Sequence, residues 1–285
     1  IIVPKSGTYW SGEMIVGIPK EIKADEYRVS MTPAGVHDMV SRGHQILLED
    51  LAGEGSGIPN QDYLEQGAKI VSRQEIFAQS EMIVKVKEPL PEEYDLLREG
   101  QILYTYLHLA PAPELSQALL DKKIVGIAYE TVQLPDRSLP LLIPMSEVAG
   151  RMAVHEGAKY LERENGGRGI LLGGVPGVDP GHVVIIGGGI VGANAAKMAI
   201  GTGAQVTLLD VNLPRLRYLD DIHGSRLITL MSNRFNLMES LRTADLVIGA
   251  VLIPGAKAPR LITREMLTHM QAGSVVVDVG IEDRK

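Results

Sequence analysis

Three glycines in the second half of the chain have the spacing of a nucleotide-binding turn. Gly187, Gly189 and Gly192 follow the apolar run Val183–Ile186 in the pattern G-x-G-x-x-G. In such a unit the first glycine permits a tight turn, the second lets a pyrophosphate approach the backbone, and the third lets the helix pack closely on the strand. Unpaired N–H groups at the start of the next helix favour phosphate. We predict a dinucleotide site rather than a turn that only allows helix packing.

An acidic residue completes the same unit. A second apolar run, Val206–Leu209, ends at Asp210, where a carboxylate can accept hydrogen bonds from both ribose hydroxyls and repels a 2′-phosphate. This position predicts NAD as the cofactor. Arg215 and Arg217 follow shortly after. We interpret them as solvated charges of the next helix, although two nearby cations leave the form of the cofactor open.

Two basic residues of the first half are candidates for binding a substrate carboxylate. Arg28 lies in the loop sequence EYRVSMTP, and Lys87 lies in VKVKEP, just after an apolar run. A guanidinium can hold a carboxylate through two hydrogen bonds, and a lysine can bind the same group or polarise a carbonyl. The alternative for each residue is an ordinary solvated surface cation.

His108 is the candidate acid/base group. It follows the apolar stretch Ile102–Leu107, and an imidazole at the end of a strand can exchange protons with a substrate near neutral pH. The alternative is a core histidine with its hydrogen bonds satisfied. The other histidines, at positions 37, 44, 155, 182, 223 and 269, do not combine with carboxylates at metal-ligand spacing, so we expect no metal site.

Composition limits the possible classes of protein. The chain has 285 residues, of which 45% are hydrophobic, carries a net charge of −7 and contains no cysteine. The length suggests two domains. The negative charge, without a block of like charge, argues against nucleic acid or an anionic membrane as partner. No apolar run approaches the roughly 20 residues of a spanning helix, and no signal peptide is recognisable. We therefore expect a cytoplasmic protein.

Strands and helices alternate in the first half, which predicts a mostly parallel sheet covered by helices. The predicted strands are Ile15–Ile18, Gln45–Glu49, Met82–Lys85, Ile102–Tyr104 and Ile124–Ala128. The predicted helices are Pro33–Arg42, Gln61–Gly67, Glu92–Arg98 and Pro113–Asp121.

The second half continues the alternation after one long predicted helix, Ser146–Arg163. Further strands are predicted at Arg226–Thr229, Leu246–Gly249 and Ser274–Asp278, which gives a five-stranded doubly wound sheet. The predicted fold is therefore α/β with two domains, an α/β substrate domain at 14–144 and a Rossmann-type NAD-binding domain at 145–285 that is incomplete at its C-terminus. We interpret residues 1–13 as a leader or non-native extension; the alternative is an edge strand with Trp10 as its anchor.

The sequence resembles the alanine dehydrogenases, of the family that they share with the nucleotide-binding subunit of proton-translocating transhydrogenase. The resemblance extends over nearly all of Met14 to Asp278. GGVPGV and PMSEVAGR favour the dehydrogenase over the transhydrogenase subunit. The stretches that carry the resemblance are VGIPKEIKADEYRVSMTPAGV, LAGEGSGI, VKVKEP, TYLHLA, IAYETVQ, PLLIPMSEVAGR, GGRGILLGGVPGV, IGGGIVGANAAKMAIGTGA and ADLVIGAVLIPGAKAP.

This resemblance implies reversible, NAD-dependent oxidative deamination of L-alanine to pyruvate and ammonium. It implies that Arg28 and Lys87 bind the substrate carboxylate, that His108 is the acid/base group, and that Glu130 lies at the substrate pocket. Met145 and Ser146 would line the nicotinamide side of the cleft. The implied cofactor-binding set is Met145, Ser146, Gly187, Gly189, Ile190, Val191, Gly192, Asp210 and Val251.

The end of the chain departs from the family pattern. Where relatives carry a catalytic aspartate, the run VDVGIEDRK places Glu282, with Asp283 as a possible substitute. One extra methylene could displace the carboxylate by about 1 Å, which can cost ~10²-fold in rate. The resemblance implies a homo-oligomer, hexameric in intact relatives. Two alternatives stay open: a transhydrogenase-like domain that binds NAD(H), and a shortened chain without turnover.

Overall fold

The computed structural model describes residues 12–251 and 261–280. They fall into two compact units that divide between Leu141 and Leu142, slightly before the predicted boundary at 144/145. The difference arises because the long helix that opens the second unit begins at Ile143, where the sequence pattern had indicated Ser146. Pro144 occupies the first turn of this helix, a position that proline favours.

The first unit is built on a six-stranded, entirely parallel sheet. The strand order is β3-β2-β1-β4-β5-β6, so the winding direction reverses between β1 and β4, and a crevice is expected at their carboxyl ends. The strands are β1 (Ile15–Ile18), β2 (Gln45–Glu49), β3 (Lys69–Val71), β4 (Met82–Val84), β5 (Ile102–Thr105) and β6 (Val125–Ala128). The helices are α1 (Pro33–Ser41), α2 (Asn60–Glu65), α3 (Arg73–Gln79), α4 (Pro91–Tyr94) and α5 (Pro113–Asp121).

Two elements of this unit were missed by the sequence prediction. Strand β3 has three residues and lies at the edge of the sheet, so its apolar signal is weak. Helix α3 begins with a capping box in which the Ser72 and Glu75 side chains satisfy each other's backbone N–H groups. That Ser-x-x-Glu pattern is a recognised start signal and could have revealed the helix. The helix predicted at Glu92–Arg98 ends earlier, at Tyr94.

The sheet buries apolar side chains on both faces. Val16, Ile46 and Leu48 point to one side, and Leu47, Ile83 and Leu103 belong to a separate cluster. This is why the strands read as continuous apolar runs rather than as alternating patterns.

The second unit contains the five-stranded doubly wound sheet that the sequence predicts. All neighbours are parallel, in the order β11-β10-β7-β8-β9. The order reverses between β7 and β10, and the glycine-rich turn follows β7. The strands are β7 (His182–Ile186), β8 (Gln205–Asp210), β9 (Ile228–Met231), β10 (Leu246–Gly249) and β11 (Val275–Asp278). The helices are α6 (Ile143–Leu161), α7 (Ile190–Thr202), α8 (Leu213–His223), α9 (Arg234–Thr243) and α10 (Arg264–Leu267).

Helix α6 packs against α7 and β10 through two of its glycines. A Cβ at Gly150 would lie 2.2 Å from the Val191 carbonyl oxygen of α7, and a Cβ at Gly157 would lie 2.4 Å from the Leu246 side chain of β10. Both distances are shorter than any real carbon contact. The glycines therefore let α6 approach α7 and the sheet closely, and α6 covers the N-terminal turn of α7.

The His182 imidazole should make the second unit sensitive to acid. It is half-buried, lies 3.0 Å from Thr243 Oγ1 and 2.9 Å from Thr207 Oγ1, and its pKa is lowered from 6.5, mainly by burial. Because the unfolded chain binds the proton first, this contribution to stability is complete above about pH 6.5 and is lost as the pH falls further. We expect His182→Gln to reduce the difference in the free energy of unfolding between neutral and mildly acidic pH, measured by urea titration. An equal difference in both proteins would contradict this.

In the two described ranges, no helix combines the length and the apolar composition required to cross a lipid bilayer.

Candidate active site

The glycine turn after β7 is tight, and the start of α7 lies close against it. Gly187 has φ 103°, in the region that favours glycine, and its N–H donates to the Leu209 carbonyl at 2.7 Å. A Cβ at Gly192 would lie 1.8 Å from the Gly187 carbonyl oxygen. The third glycine is therefore imposed by the close approach of the α7 backbone to the turn. Ile190 and Val191 form the first turn of α7 after Gly189.

Gly189 differs from the other two because no contact among the described residues requires a glycine there. A Cβ there would have no heavy-atom neighbour within 4 Å, and its φ is −63°. An open backbone surface next to the N-terminus of a helix fits a cofactor phosphate. We expect Gly189→Ala to leave the free energy of unfolding nearly unchanged but to weaken NADH binding by about tenfold, as measured by fluorescence titration. Unchanged affinity would show that no ligand approaches this backbone.

Asp210 is held against the turn by backbone hydrogen bonds. Its Oδ2 accepts from the Gly188 N–H at 2.5 Å, and its Oδ1 accepts from the Asn212 N–H at 2.7 Å. The carboxylate therefore lies at the end of β8 beside the glycine turn, where a ribose would be expected. The link to Gly188 was not predicted, and it gives Asp210 a second role in fixing the turn.

Arg215 corrects one interpretation of the sequence. Its Nε donates to the Gly188 carbonyl at 2.6 Å, and its guanidinium lies 5.0 Å from the centre of the Tyr218 ring. Arg215 of α8 is thus hydrogen-bonded to the glycine turn and is not a solvated charge, because the carbonyl of Gly188 faces the start of that helix. Arg217 is exposed, as predicted.

Of the other predicted cofactor residues of the second unit, Val251 lies beside the glycine turn. Val251 follows β10, and its Cγ2 would lie 2.8 Å from a Cβ at Gly187. Met145 and Ser146 are in the first turns of α6. Ser146 precedes Gly150 by one helical turn and so shares the face that meets α7.

His108 is exposed and has a strained backbone. It follows β5, its φ is 45°, and its backbone N–H donates to Glu130 Oε1 at 2.7 Å. The alternative of a buried core histidine is therefore wrong. A positive φ is unfavourable for a residue with a side chain and needs support from its surroundings.

Glu130 provides that support. It follows β6, the neighbour of β5, and its carboxylate also accepts from the Leu107 N–H at 3.1 Å. Two backbone N–H groups on one carboxylate hold the turn that presents the imidazole. This role was not predicted, and direct contact between Glu130 and substrate stays a prediction.

An aromatic ring orients the imidazole as well. The Tyr106 ring is nearly parallel to the His108 ring, with 5.9 Å between centroids, and its hydroxyl donates to the Leu141 carbonyl at 2.6 Å. Tyr129 packs edge-on against Tyr106 at 4.9 Å. Burial raises the pKa of Tyr106, so its hydroxyl remains a donor at neutral pH. Sequence reasoning had passed over Tyr106, although it lies beside His108 in TYLHLA.

Arg28 and Lys87 lie near a carboxylate that was also not predicted. The Arg28 guanidinium donates to both Glu26 oxygens, through Nε at 2.8 Å and Nη2 at 2.5 Å. Hydrogen bonds from Arg28 lower the pKa of Glu26, and the charge of Lys87 contributes to the same shift. The two predicted cations therefore share one patch, and Glu26 orients the guanidinium. The positive charge of Arg28 also opposes the rise that burial causes in the Tyr106 pKa. The patch therefore lies near the ring that stacks on His108.

All these groups of the first unit follow the carboxyl ends of parallel strands. Arg28 comes after β1, Lys87 after β4, His108 after β5 and Glu130 after β6. These ends lie at one edge of the sheet, which places two cations and an imidazole at the same edge.

The remaining predicted residues lie outside the part of the chain that the structure describes. Glu282 and Asp283 lie outside the described residues, as does Trp10. Over the described part of the chain, no group of three or more His, Cys, Asp or Glu side chains is arranged to hold a metal ion.

The fold and the glycine turn together define a protein of two parallel α/β units, the second of the Rossmann type. The chain matches the N-terminal domain model of alanine dehydrogenase/PNT over residues 17–149 and the C-terminal domain model over residues 153–283. It belongs to this family.

Relatives and solved structures agree with that assignment. The chain is 62% identical over 270 residues to an alanine dehydrogenase of Methanococcus maripaludis, covering 94% of this chain and 72% of that protein. A solved L-alanine dehydrogenase superposes with a TM-score of 0.89 at 53% identity, covering 94% of this chain and 74% of the other. A transhydrogenase from Sinorhizobium meliloti gives 0.78 at 27% identity, covering 92% and 77%.

Proposed function

We propose that this chain is an NAD-dependent alanine dehydrogenase. The reaction is L-alanine, NAD⁺ and water to pyruvate, ammonium, NADH and a proton, in either direction. The observation that carries the proposal is the grouping of Arg28, Lys87 and His108 at one sheet edge of the first unit. High identity to alanine dehydrogenases supports the choice of substrate.

Two cations suit the carboxylate that alanine and pyruvate share. Arg28, oriented by Glu26, would bind it through its guanidinium, and Lys87 would neutralise its charge from the neighbouring strand end. Two fixed points on one carboxylate also orient the α-carbon, and such positioning can supply several kcal/mol of the barrier reduction.

His108 would carry the protons of the reaction. In the direction of deamination, water adds to the imine of the substrate, and the imidazole accepts and returns protons as the carbinolamine loses ammonia. The ring is held by Tyr106 and its backbone by Glu130, so that the proton is exchanged at a fixed position.

The second unit would bind the dinucleotide. The nicotinamide ring, when bound, supplies the acceptor for the hydride of the α-carbon. Gly187, Gly189 and the start of α7 would hold the pyrophosphate, and Asp210 would accept from the ribose hydroxyls. The open backbone at Gly189 is the structural feature that fits this ligand. NAD is proposed over NADP because Asp210 would repel a 2′-phosphate.

The test is oxidation of NADH by this chain with pyruvate and ammonium. We expect oxidation that depends on ammonium and that is at least about tenfold slower with NADPH. A protein that binds NADH and pyruvate but does not oxidise NADH would support the alternative of a nucleotide-binding chain without turnover. Homo-oligomeric assembly and a cytoplasmic location stay predictions.

A further inference from the structure

Five charged side chains of the first unit lie together, and we refer to them as the buried ion cluster. They are Glu21, Glu49, Arg73, Lys85 and Glu93. The Lys85 and Glu93 side chains are each 1% exposed, and the Glu21 side chain is 3% exposed. Lysine and glutamate are seldom buried to this extent unless they are paired.

The ion pairs of the cluster centre on Lys85. Its Nζ lies 3.0 Å from Glu93 Oε1 and 3.2 Å from Glu21 Oε2. Arg73 pairs with the same Glu93 oxygen at 3.0 Å and with Glu49 at 3.1 Å. Burial raises the pKa of Glu21, and the Lys85 ammonium opposes that shift.

Such a cluster is poorly explained by stability alone. Taking several charges out of water costs free energy that their mutual attraction often only offsets, and apolar side chains of similar size can replace buried ion pairs without loss. A role in fixing local geometry is a better explanation, provided that the cluster is attached to the site.

The attachment is through the backbone of residues 85–87. The Val86 N–H donates to Glu21 Oε1 at 2.6 Å, so one Glu21 oxygen holds the backbone while the other holds the Lys85 ammonium. The Lys85 N–H donates to the Tyr104 carbonyl at 3.1 Å. The Lys87 carbonyl accepts from Thr105 Oγ1 at 2.9 Å.

The cluster also connects this segment to the neighbouring strand ends. Arg73 donates to the carbonyl of Lys20 at 2.6 Å, and Glu49 accepts from the Lys20 N–H at 2.9 Å. Glu93 accepts from the Leu90 N–H at 3.1 Å, just before α4. The ends of β1, β2 and β4 are therefore fixed relative to one another.

We propose that Lys85 is a positioning residue for substrate binding: through Glu21 and Glu93 it fixes the segment that presents Lys87 to the substrate carboxylate. The proposal rests on the proposed function, because it takes Lys87 as a carboxylate-binding residue. Lys85 itself is buried and does not touch substrate. Its effect must therefore pass through Lys87, and this makes the proposal testable.

The experiment is a double-mutant cycle with Lys85→Met and Lys87→Ala, measured by the KM for pyruvate and by pyruvate binding in calorimetry. We expect Lys85→Met to raise the KM for pyruvate about tenfold, with the KM for NADH within about twofold of wild type. In the Lys87→Ala background the same change should add less than about twofold. A merely structural role would not produce this dependence on Lys87.

A second variant covers the case in which Lys85→Met does not fold, since it leaves two buried carboxylates without their cation. Glu21→Gln keeps the shape and an amide oxygen for the Val86 N–H, but removes the ion pair, and it should show the same dependence on Lys87. Leu119→Ala is the matched control, because it removes buried core volume in α5 and should leave the KM for pyruvate unchanged.

Two results would overturn the proposal. One is an equal increase in the KM for pyruvate with and without Lys87, and the other is an equal increase in Leu119→Ala. A wild-type chain that neither turns over nor binds pyruvate would remove the proposed function and this inference together. If the wild-type chain turns over but the effects of Lys85→Met and Lys87→Ala on the KM for pyruvate are additive, only the inference is wrong and the proposed function stands.

Discussion

Replacing Gly192 with alanine should weaken dinucleotide binding by about 10²-fold. A Cβ at this position would lie 1.8 Å from the Gly187 carbonyl oxygen, and that oxygen cannot move freely because the Gly187 N–H is bonded to Leu209 at 2.7 Å. The start of α7 must then separate from the turn. A displacement of about 1 Å at a binding site can cost ~10²-fold, and we expect a loss of NADH affinity of that size in a fluorescence titration.

The control is in the same helix. Gly201 is in the last turn of α7, and a Cβ there would meet nothing within 4 Å. Gly201→Ala should keep wild-type NADH affinity and raise the free energy of unfolding by about 0.5–1 kcal/mol, because alanine loses less conformational freedom in a helix. NADH binding by Gly192→Ala at wild-type strength would show that the turn is not held as described.

Replacing His108 with alanine should remove turnover and spare nucleotide binding. General acid/base catalysis contributes ~10²–10⁴-fold, so we expect kcat to fall by about 10³-fold. The glycine turn is in the other unit, and the affinity for NADH should therefore stay within about twofold. Steady-state kinetics with pyruvate and ammonium would measure the first quantity and fluorescence titration the second.

His37 offers a comparison for this variant. It is an exposed histidine of α1, and His37→Ala should leave kcat unchanged. If His108→Ala retained activity, the assignment of the imidazole as acid/base group would be wrong, and Tyr106, whose ring stacks on it, would be the next candidate.

The main features of the fold were predictable because they depend on local sequence. Strands buried on both faces appear as apolar runs, as at Val183–Ile186, and the parallel order follows from their alternation with helices. Glycine spacing predicted the turn after β7 because the close approach at Gly192 requires glycine regardless of the rest of the chain. The exposed His108 was found for a similar reason: its position after a strand end is a local signal.

The parts that were missed depend on contacts distant in sequence. Nothing near Lys85 indicates that Glu21 and Glu93 will enclose it, since these three residues come from separate strand ends and a helix. Arg215 resembled any helix cation until the fold placed the Gly188 carbonyl beside it. Glu130 was expected near substrate, but its hydrogen bonds to the backbone of residues 107 and 108 depend on the pairing of β5 with β6.

The described strands of each sheet lie within one continuous segment of the chain. Every strand of the six-stranded sheet precedes Leu141, and every strand of the five-stranded sheet follows Leu142. During synthesis these six strands can therefore pair before the second unit has been translated, because all six precede it. Parallel sheets close slowly, since their neighbours are far apart in sequence. Because the described strands of each sheet lie within one unit, the contacts of either sheet span at most about 140 residues.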